Sequence, residues 1–170
     1  MAFTVVSASG KQARWVNDSC AEYCKRLPRE FNLQWKDLPL ISRNKNSSPE
    51  TLKREETKIL VNAIPPRHFI VALDERGMLL NTEKFAEKLF KWQESYSNVC
   101  FVIGGPDGLD LSGSALPSSS RNQNKSSESW ADFIWSLSPL TMPHPLVRVV
   151  LAEQIYRAWS LSVGHPYHRS

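Results

Sequence analysis

Two short apolar runs constrain the fold of this chain more than any other feature. The runs are FIVAL at 69–73 and VCFVI at 99–103, and each is bounded by polar or glycine-rich turns. Strands that are buried on both faces have this composition, because helices cover both sides of a parallel sheet. We therefore expect the two runs to be strands in the interior of a parallel sheet.

The segments around these runs alternate between helical and extended patterns. Residues 82–93 place Phe85, Leu89 and Trp92 on one helical face, and Thr82 is the predicted N-cap. Upstream, the pattern predicts a strand at 3–8, a helix at 14–27, a strand at 31–38 and a helix at 49–64. This alternation indicates an α/β fold with a mostly parallel sheet and helices on both faces.

One segment interrupts the pattern. Residues 110–129 are rich in serine and contain few apolar side chains, so they bury too little surface to offset their loss of conformational entropy. The rest of the chain has enough apolar surface for one core at a length of 170 residues. We predict a single domain over residues 1–170 with a flexible serine-rich insertion at about 110–129.

Charge, cysteines and the N-terminal sequence narrow the class of protein. A net charge of +4 permits a polyanionic partner without requiring one. Cys20, Cys24 and Cys100 do not form a disulfide framework or complete a zinc site, so we predict buried or half-buried thiols and no metal. The chain starts without a signal-peptide or presequence pattern and has no apolar run of about 20 residues. We expect a cytoplasmic protein without a membrane anchor. If an import signal is absent from this chain, an organellar matrix or stroma is the alternative location.

Three predicted strand ends have unusual sequences, and ligands of parallel sheets bind outside the carboxyl ends of strands. These ends are Leu73-Asp74, the GGPDG sequence at 104–108, and residues 137–142. Adjacent glycines allow a backbone to approach a ligand closely. Taken alone, GGPDG is more typical of a tight connection between a strand and a helix, and it lacks the lysine of a phosphate loop.

The C-terminal segment contains three of the four histidines, namely His144, His165 and His168. His144 lies between two prolines, which favours a structural role, and Pro145 is suited to the start of a helix. In this helix, Val147, Leu151, Ile155, Ala158 and Trp159 are predicted to face the core, and Arg148, Glu153 and Arg157 to form the polar remainder. Arg157 and Glu153 are spaced as an ordinary exposed ion pair. The tail GHPYHRS combines groups that bind phosphate, stack on a base and move a proton.

The segments IGGPDG, LSPLTMPHPLVRVVLAEQIYRAWS and HPYHR, in this order, resemble the RlmH family. These are SPOUT-class methyltransferases that modify N3 of a pseudouridine in large-subunit ribosomal RNA. The resemblance is detailed over residues 98–109 and 136–169 and looser over residues 3–97. Between Leu109 and Ser136 the chain departs from the family, which has a shorter helical segment there.

The resemblance implies an α/β trefoil knot, a homodimer and S-adenosyl-L-methionine held by backbone groups of the knot loops. The positions that match the cofactor-binding residues of the family are Leu73, Gly105, Leu137, Ser138, Pro139, Leu140, Thr141 and Met142. Pro139 has no backbone N–H, so it supplies no amide donor.

The resemblance also implies catalytic roles for the C-terminal segment. His168 is expected to accept the N3 proton or to orient the base, and Tyr167 to stack or donate a hydrogen bond. Arg157 or Arg169 would counter developing charge or bind phosphate. The tail of one subunit is expected to act on cofactor held by the other. The expected substrate is ribosomal RNA within an assembled large subunit or ribosome.

Three alternatives remain open at this point. A SPOUT-like enzyme for another RNA would have the same cofactor site. A ribosome-binding factor that has lost catalysis would keep the fold without binding S-adenosylmethionine. A generic α/β binding protein would leave the HPYHR tail and the proline-flanked His144 unexplained.

Overall fold

The structure, a computed structural model, describes residues 2–44, 47–113 and 129–168, with the side chains of all of these except Ala2, Glu30 and His168. In this part of the chain, strands and helices alternate as predicted. The elements are β1 (Ala2–Ala8), α1 (Arg14–Arg26), β2 (Asn32–Leu38), α2 (Pro49–Ala63), β3 (Phe69–Leu79), α3 (Thr82–Ser95), β4 (Asn98–Ile103), β5 (Phe133–Ser136) and α4 (His144–Ser162), with short 3-10 turns at Arg29–Phe31 and Pro166–His168.

The five described strands form one parallel sheet in the order β2-β1-β4-β3-β5. The two apolar runs lie side by side in its interior, where Val71 of β3 pairs with Phe101 of β4. On the other side of β3, Leu73 pairs with Trp135 of β5. The prediction of a parallel sheet with these runs as inner strands is therefore confirmed.

Helices cover both faces of the sheet, also as predicted. Successive strand residues point to opposite faces, so Val5 and Val6 of β1 belong to different apolar clusters. Helices α1, α3 and α4 pack on the first face, and α4 lies against both of the others. Helix α2 packs on the second face, where Leu60 meets the fully buried Trp130.

Three local features differ from the sequence prediction or extend it. Strand β3 is longer than the FIVAL run, and its pairing with β5 shifts register between Leu73 and Met78. The prediction of Thr82 as N-cap is wrong, because the Asn81 side chain accepts a hydrogen bond from the Lys84 amide at 2.9 Å. Thr82 is instead the first helical residue, with its hydroxyl 3.2 Å from Gln154 of α4.

Most of the predicted serine-rich insertion lies outside the described residues. Its described ends meet, because Ser112 and Ser129 form an antiparallel bridge. The next residue, Trp130, donates from its indole nitrogen to the carbonyl of Asp110 at 2.7 Å. The described residues on the two sides of this gap therefore lie next to each other.

The thiols behave as predicted. Cys20 and Cys100 are buried and Cys24 is half-buried. Burial raises the pKa of Cys20 to about 11 and that of Cys100 to about 12, so both are protonated at neutral pH. Within the described residues, no helix is both long and apolar enough to cross a membrane, and no group of acidic, histidine or cysteine side chains is arranged to hold a metal ion.

Arg148 of α4 is the main exception to the predicted helix pattern. Leu151, Ile155 and Ala158 are fully buried as expected, whereas Val147 and Trp159 are half-buried. The assignment of Arg148 to a polar remainder is wrong, because only 2% of this residue is exposed.

Partners on distant strands explain the burial of Arg148. Its guanidinium binds both carboxylate oxygens of Asp37 at the end of β2 and stacks over the Trp35 ring at 4.4 Å. Its Nη1 also donates to the hydroxyls of Ser7 at 3.1 Å and Ser9 at 3.4 Å. A buried cation needs such partners to offset the loss of hydration. The contacts tie the N-terminal part of α4 to the carboxyl ends of β1 and β2.

We expect Asp37→Asn to lower the free energy of unfolding by about 2 kcal/mol, because it leaves the buried Arg148 without a charged partner. Asp18→Asn is the matched control, since Asp18 pairs with Arg14 on the surface and the substitution should cost less than about 0.5 kcal/mol. Urea denaturation measures both values. Equal effects would contradict a structural role of the buried ion pair.

Candidate functional site

A cavity of about 950 Å³ opens at the carboxyl edge of the sheet. Its wall combines residues 73–76 of β3 with the segments that follow β4 and β5 and with the start of α4. The lining residues are 73–76, 103–109, 135–138, 140–144, Val147 and Lys53. The structure thus brings the three unusual strand ends together around one space.

The positions expected to bind cofactor cluster in this wall. Leu73 lies at the β3 side, Gly105 in the glycine turn, and Leu137, Ser138, Leu140, Thr141 and Met142 in the segment after β5. Pro139 belongs to the same segment but is not among the lining residues.

Internal contacts fix the segment that follows β5. The hydroxyl of Ser136 donates to the carbonyl of Ser138 at 2.9 Å, and the Ser138 hydroxyl accepts from the Leu140 amide at 3.0 Å. The Thr141 hydroxyl lies 3.4 Å from a carboxylate oxygen of Glu75 in β3. The segment is therefore anchored both to itself and to β3.

The glycine turn closes on itself. The Gly108 amide donates to the Gly105 carbonyl at 2.9 Å, and Gly108 has a φ of +82°, a region that favours glycine. A Cβ on Gly104 would lie 2.7 Å from the Gly108 backbone. Gly104 and Gly108 are therefore required by the shape of the turn itself.

Gly105 is required by a buried carboxylate behind the turn. Glu56 of α2 is 1% exposed, and a Cβ on Gly105 would overlap its Oε2 atom. Glu56 Oε1 accepts hydrogen bonds from the Ile41 amide and from Arg43, each at 3.2 Å. Arg43 in turn donates to Asp107 of the turn at 2.7 Å. These contacts hold the turn against α2.

Sequence reasoning did not identify Glu56, and it assigned Gly105 to ligand approach. Glu56 lies in the charged sequence KREE, which is typical of a solvated helix face. Its burial depends on Arg43 and Gly105, which are distant in sequence, so no local pattern indicates it.

Charged side chains of both signs surround the cavity mouth. Arg76 donates to Asp74 through its backbone amide at 3.0 Å and through its guanidinium at 2.7 Å. Burial alone would raise the pKa of Asp74, but the hydrogen bonds from Arg76 outweigh burial and hold the pKa below its usual value. Lys53 of α2 also lies in the wall.

His144 lies in the cavity wall at the first residue of α4. Its Nε2 is 3.2 Å from the hydroxyl of Ser7, which also accepts a hydrogen bond from Arg148. Burial and the neighbouring Arg148 charge lower the pKa of His144, and Asp37 only partly opposes them. The prolines on either side of His144 favoured a structural role and did not indicate that it lies in the cavity wall.

Two of the predicted catalytic residues lie together, but away from this cavity. Tyr167 donates from its hydroxyl to Glu153 at 3.1 Å, and Arg157 donates to the same carboxylate oxygen at 2.7 Å. The Arg157 guanidinium lies 4.9 Å from the centre of the Tyr167 ring. Burial raises the pKa of Tyr167, as do the neighbouring Tyr23 and Glu153.

None of the described tail residues lines the cavity. The backbone of His168 belongs to the final 3-10 turn, while its side chain and Arg169 lie outside what the structure describes. The interpretation of Glu153 and Arg157 as a simple exposed pair is incomplete, because both are partly buried and share Tyr167.

The described residues form a parallel α/β fold with a large cavity at the carboxyl edge of its sheet. This is the class of α/β protein that binds a ligand at that edge. Residues 1–168 match the family described as "Predicted SPOUT methyltransferase". The chain belongs to the SPOUT methyltransferase family.

Three relatives share nearly their whole length with this chain, and each is called Ribosomal RNA large subunit methyltransferase H. The protein of Thioalkalivibrio sulfidiphilus is 40% identical over 169 residues, covering 99% of each chain. That of Hydrogenovibrio crunogenus is 45% identical, covering 94% of this chain and 93% of its own. That of Pseudomonas aeruginosa is 37% identical, covering 99% and 100%. The resemblance noted from the motifs is confirmed.

We expect Gly105→Ala to lower the free energy of unfolding by about 1–3 kcal/mol, because the added methyl group overlaps the buried Glu56 carboxylate. Gly10→Ala is the control, since a Cβ at Gly10 meets no atom within 4 Å. Chemical denaturation measures both. If Gly105→Ala is as stable as the control, the Glu56 contact does not constrain the turn.

Proposed function

We propose that this chain is an S-adenosyl-L-methionine-dependent methyltransferase that acts on N3 of a pseudouridine in large-subunit ribosomal RNA. The observation that carries the proposal is the convergence of the three cofactor-matching segments on one cavity. The names of the relatives support the choice of ribosomal RNA. The proposed place of action is the cytoplasm, where the large subunit is assembled.

The cavity suits an S-adenosyl ligand. Its volume of about 950 Å³ is in the upper part of the range of about 300–1,000 Å³ for small-molecule sites. Leu73, Leu137 and Met142 provide apolar wall for an adenine ring, and the glycine turn offers backbone polar groups. When bound, the ligand supplies a methyl group activated by a positively charged sulfur. The residues of the chain align it with the acceptor nitrogen.

We also propose that the chain is a single domain with a C-terminal trefoil knot, and that it acts as a homodimer. The position of the tail supports the dimer. Tyr167 contacts Glu153, which is nine residues, or about 14 Å of helix, beyond His144 at the cavity. The described tail and the cavity of one chain are therefore separate, and in this proposal a second chain brings them together.

Exposed apolar side chains mark a surface that the second chain would cover. Trp15 at the start of α1 is 50% exposed, and Leu146 at the start of α4 is 43% exposed. Both helices start at the carboxyl edge of the sheet and pack on each other. In this proposal, the second chain brings Tyr167, His168 and Arg169 of its tail, together with Arg157 of its α4, to the acceptor base.

The proposed substrate is an assembled large subunit or ribosome, because a single small domain offers limited surface for RNA. Basic residues supply phosphate contacts in this proposal. The candidates are Lys11, Arg14, Lys25, Arg26, Arg29, Lys45, Lys53 and Arg54, of which Lys45 lies outside the described residues. The sequence also offers Arg43 as a candidate, but its guanidinium pairs with Glu56 and Asp107.

A methylation assay tests the proposed function. Ribosomes, isolated large subunits and a naked RNA hairpin are each incubated with the purified chain and S-adenosylmethionine, and the nucleosides are analysed by mass spectrometry. We expect N3-methylpseudouridine from an assembled particle and little from the hairpin at ordinary salt. Methylation of a different nucleoside would favour an enzyme for another RNA. No methyl transfer and no calorimetric uptake of S-adenosylmethionine would favour a ribosome-binding factor.

Mixed dimers test the shared site. Leu137→Arg blocks the cavity and His168→Ala alters the tail, so each homodimer should be inactive. In the mixture, random exchange should restore roughly a quarter of wild-type activity, because a mixed dimer has one intact cavity facing one intact tail. His168→Ala should also keep its affinity for S-adenosylhomocysteine. Absence of any recovery, despite exchange shown by mass spectrometry, would contradict the shared site.

A further inference from the structure

Two buried serines lie beside Arg148, and the Ser7 hydroxyl donates to that of Ser9 at 3.1 Å. Arg148 Nη1 donates to both Ser7 at 3.1 Å and Ser9 at 3.4 Å. Only the Ser7 hydroxyl continues to the cavity, where it lies 3.2 Å from His144 Nε2. A chain of contacts therefore leads from the fully buried interior to one imidazole in the cavity wall.

This chain of contacts restrains the His144 ring. Ser7 is fully buried in β1, and Arg148 is held by the carboxylate of Asp37, so neither support is free to move. An imidazole held through one nitrogen has a fixed ring orientation, and its other nitrogen is available for a ligand. No described residue forms a hydrogen bond with the Nδ1 atom of His144.

The charges around His144 favour its neutral form. Arg148 lies on the same helix, and Asp37 approaches from β2. Other ionisable groups in the cavity wall are Lys53, Asp74, Glu75, Arg76 and Asp107. Burial is the largest cause of the lowered His144 pKa, and the Arg148 charge adds to it. The ring is therefore able to accept a proton at neutral pH.

We propose that His144 is a catalytic residue that accepts the proton of the acceptor imide nitrogen, and that Ser7 is the residue that positions its ring. The proposal rests on the proposed function. In the step, the N3–H bond breaks and the proton passes to the imidazole. The electron pair on N3 forms the new bond to the methyl carbon, and the pair of the broken carbon–sulfur bond returns to sulfur. The imidazolium then releases its proton to water, while His168 orients the base.

His144→Gln tests the proton transfer, because glutamine keeps a hydrogen bond to Ser7 but does not accept a proton. We expect the single-turnover rate on ribosomes to fall by about 100-fold, with unchanged affinity for S-adenosylhomocysteine. The wild-type rate should fall as the pH drops through the lowered pKa of His144, and level off above it. The variant rate should instead rise by about tenfold per pH unit between pH 6 and 9, because the imide must ionise unaided.

Ser7→Ala and Ser9→Ala form the matched pair. Each substitution removes one acceptor of Arg148 and the hydrogen bond between the two serines. Ser9→Ala also removes a donor to Asp37, whereas only Ser7→Ala removes the contact with His144. We expect Ser7→Ala to lower the single-turnover rate by about tenfold without changing the KM for ribosomes, and Ser9→Ala to change the rate by less than about twofold. Equal effects of the two variants would overturn the positioning role of Ser7.

The outcomes separate this proposal from the proposed function. If the wild type methylates pseudouridine while His144→Gln keeps the wild-type rate and pH profile, His144 is not the proton acceptor and the proposed function stands. If His144→Gln loses cofactor affinity together with rate, His144 has a binding role and the proposal is overturned. If the wild type forms no methylated pseudouridine, the proposed function itself fails and the role of His144 falls with it.

Discussion

The candidate site depends on the position of β3 between β4 and β5. Val71 of β3 pairs with Phe101, and Leu73 pairs with Trp135. Because all three strands are parallel, residues 73–76 of β3 lie at the same edge as the segments that follow β4 and β5, and together they surround one cavity. Segments separated by more than sixty positions in the sequence thereby form a single site, as expected for parallel sheets.

Two buried charged groups stand behind the wall of this cavity. Glu56 supports the glycine turn from α2, and Arg148 supports His144 from within α4. A buried charge destabilises the fold unless its partners are well placed, so each group restricts the conformations of the segment in front of it. The wall is therefore arranged before any ligand arrives, which reduces the ordering that binding requires.

The sequence predicted the sheet and helices well, because the signals for these elements are local. Apolar runs indicated the inner strands, and prolines with helical periodicity located α2 and α4 to within a residue or two. Contacts between residues that are distant in the sequence leave no local pattern from which they could be predicted. Arg148 was expected on a polar face because its acceptors, Ser7 and Asp37, come from two other strands. The predicted N-cap of α3 was wrong by one residue because Asn81 and Thr82 are both good capping residues.

The candidate site was predictable only in part, because local patterns place the strand ends but do not predict contacts between distant residues. Leu73 ends the apolar run of β3, and Gly105 and the segment after β5 follow strands, so the parallel sheet alone placed them at one edge. The separation of Tyr167 from that edge depends on how the tail folds back onto Glu153 and Arg157, which no local pattern specifies. This separation is the reason for invoking a second chain.

A crystal structure of the chain with S-adenosylhomocysteine would show whether Leu73, Gly105 and residues 137–142 form the cofactor site. We expect the ligand in the cavity, with its adenosine against these residues, and the tail of a second chain at the cavity mouth. A ligand bound elsewhere, or a monomer whose tail stays far from the nucleoside, would contradict this expectation.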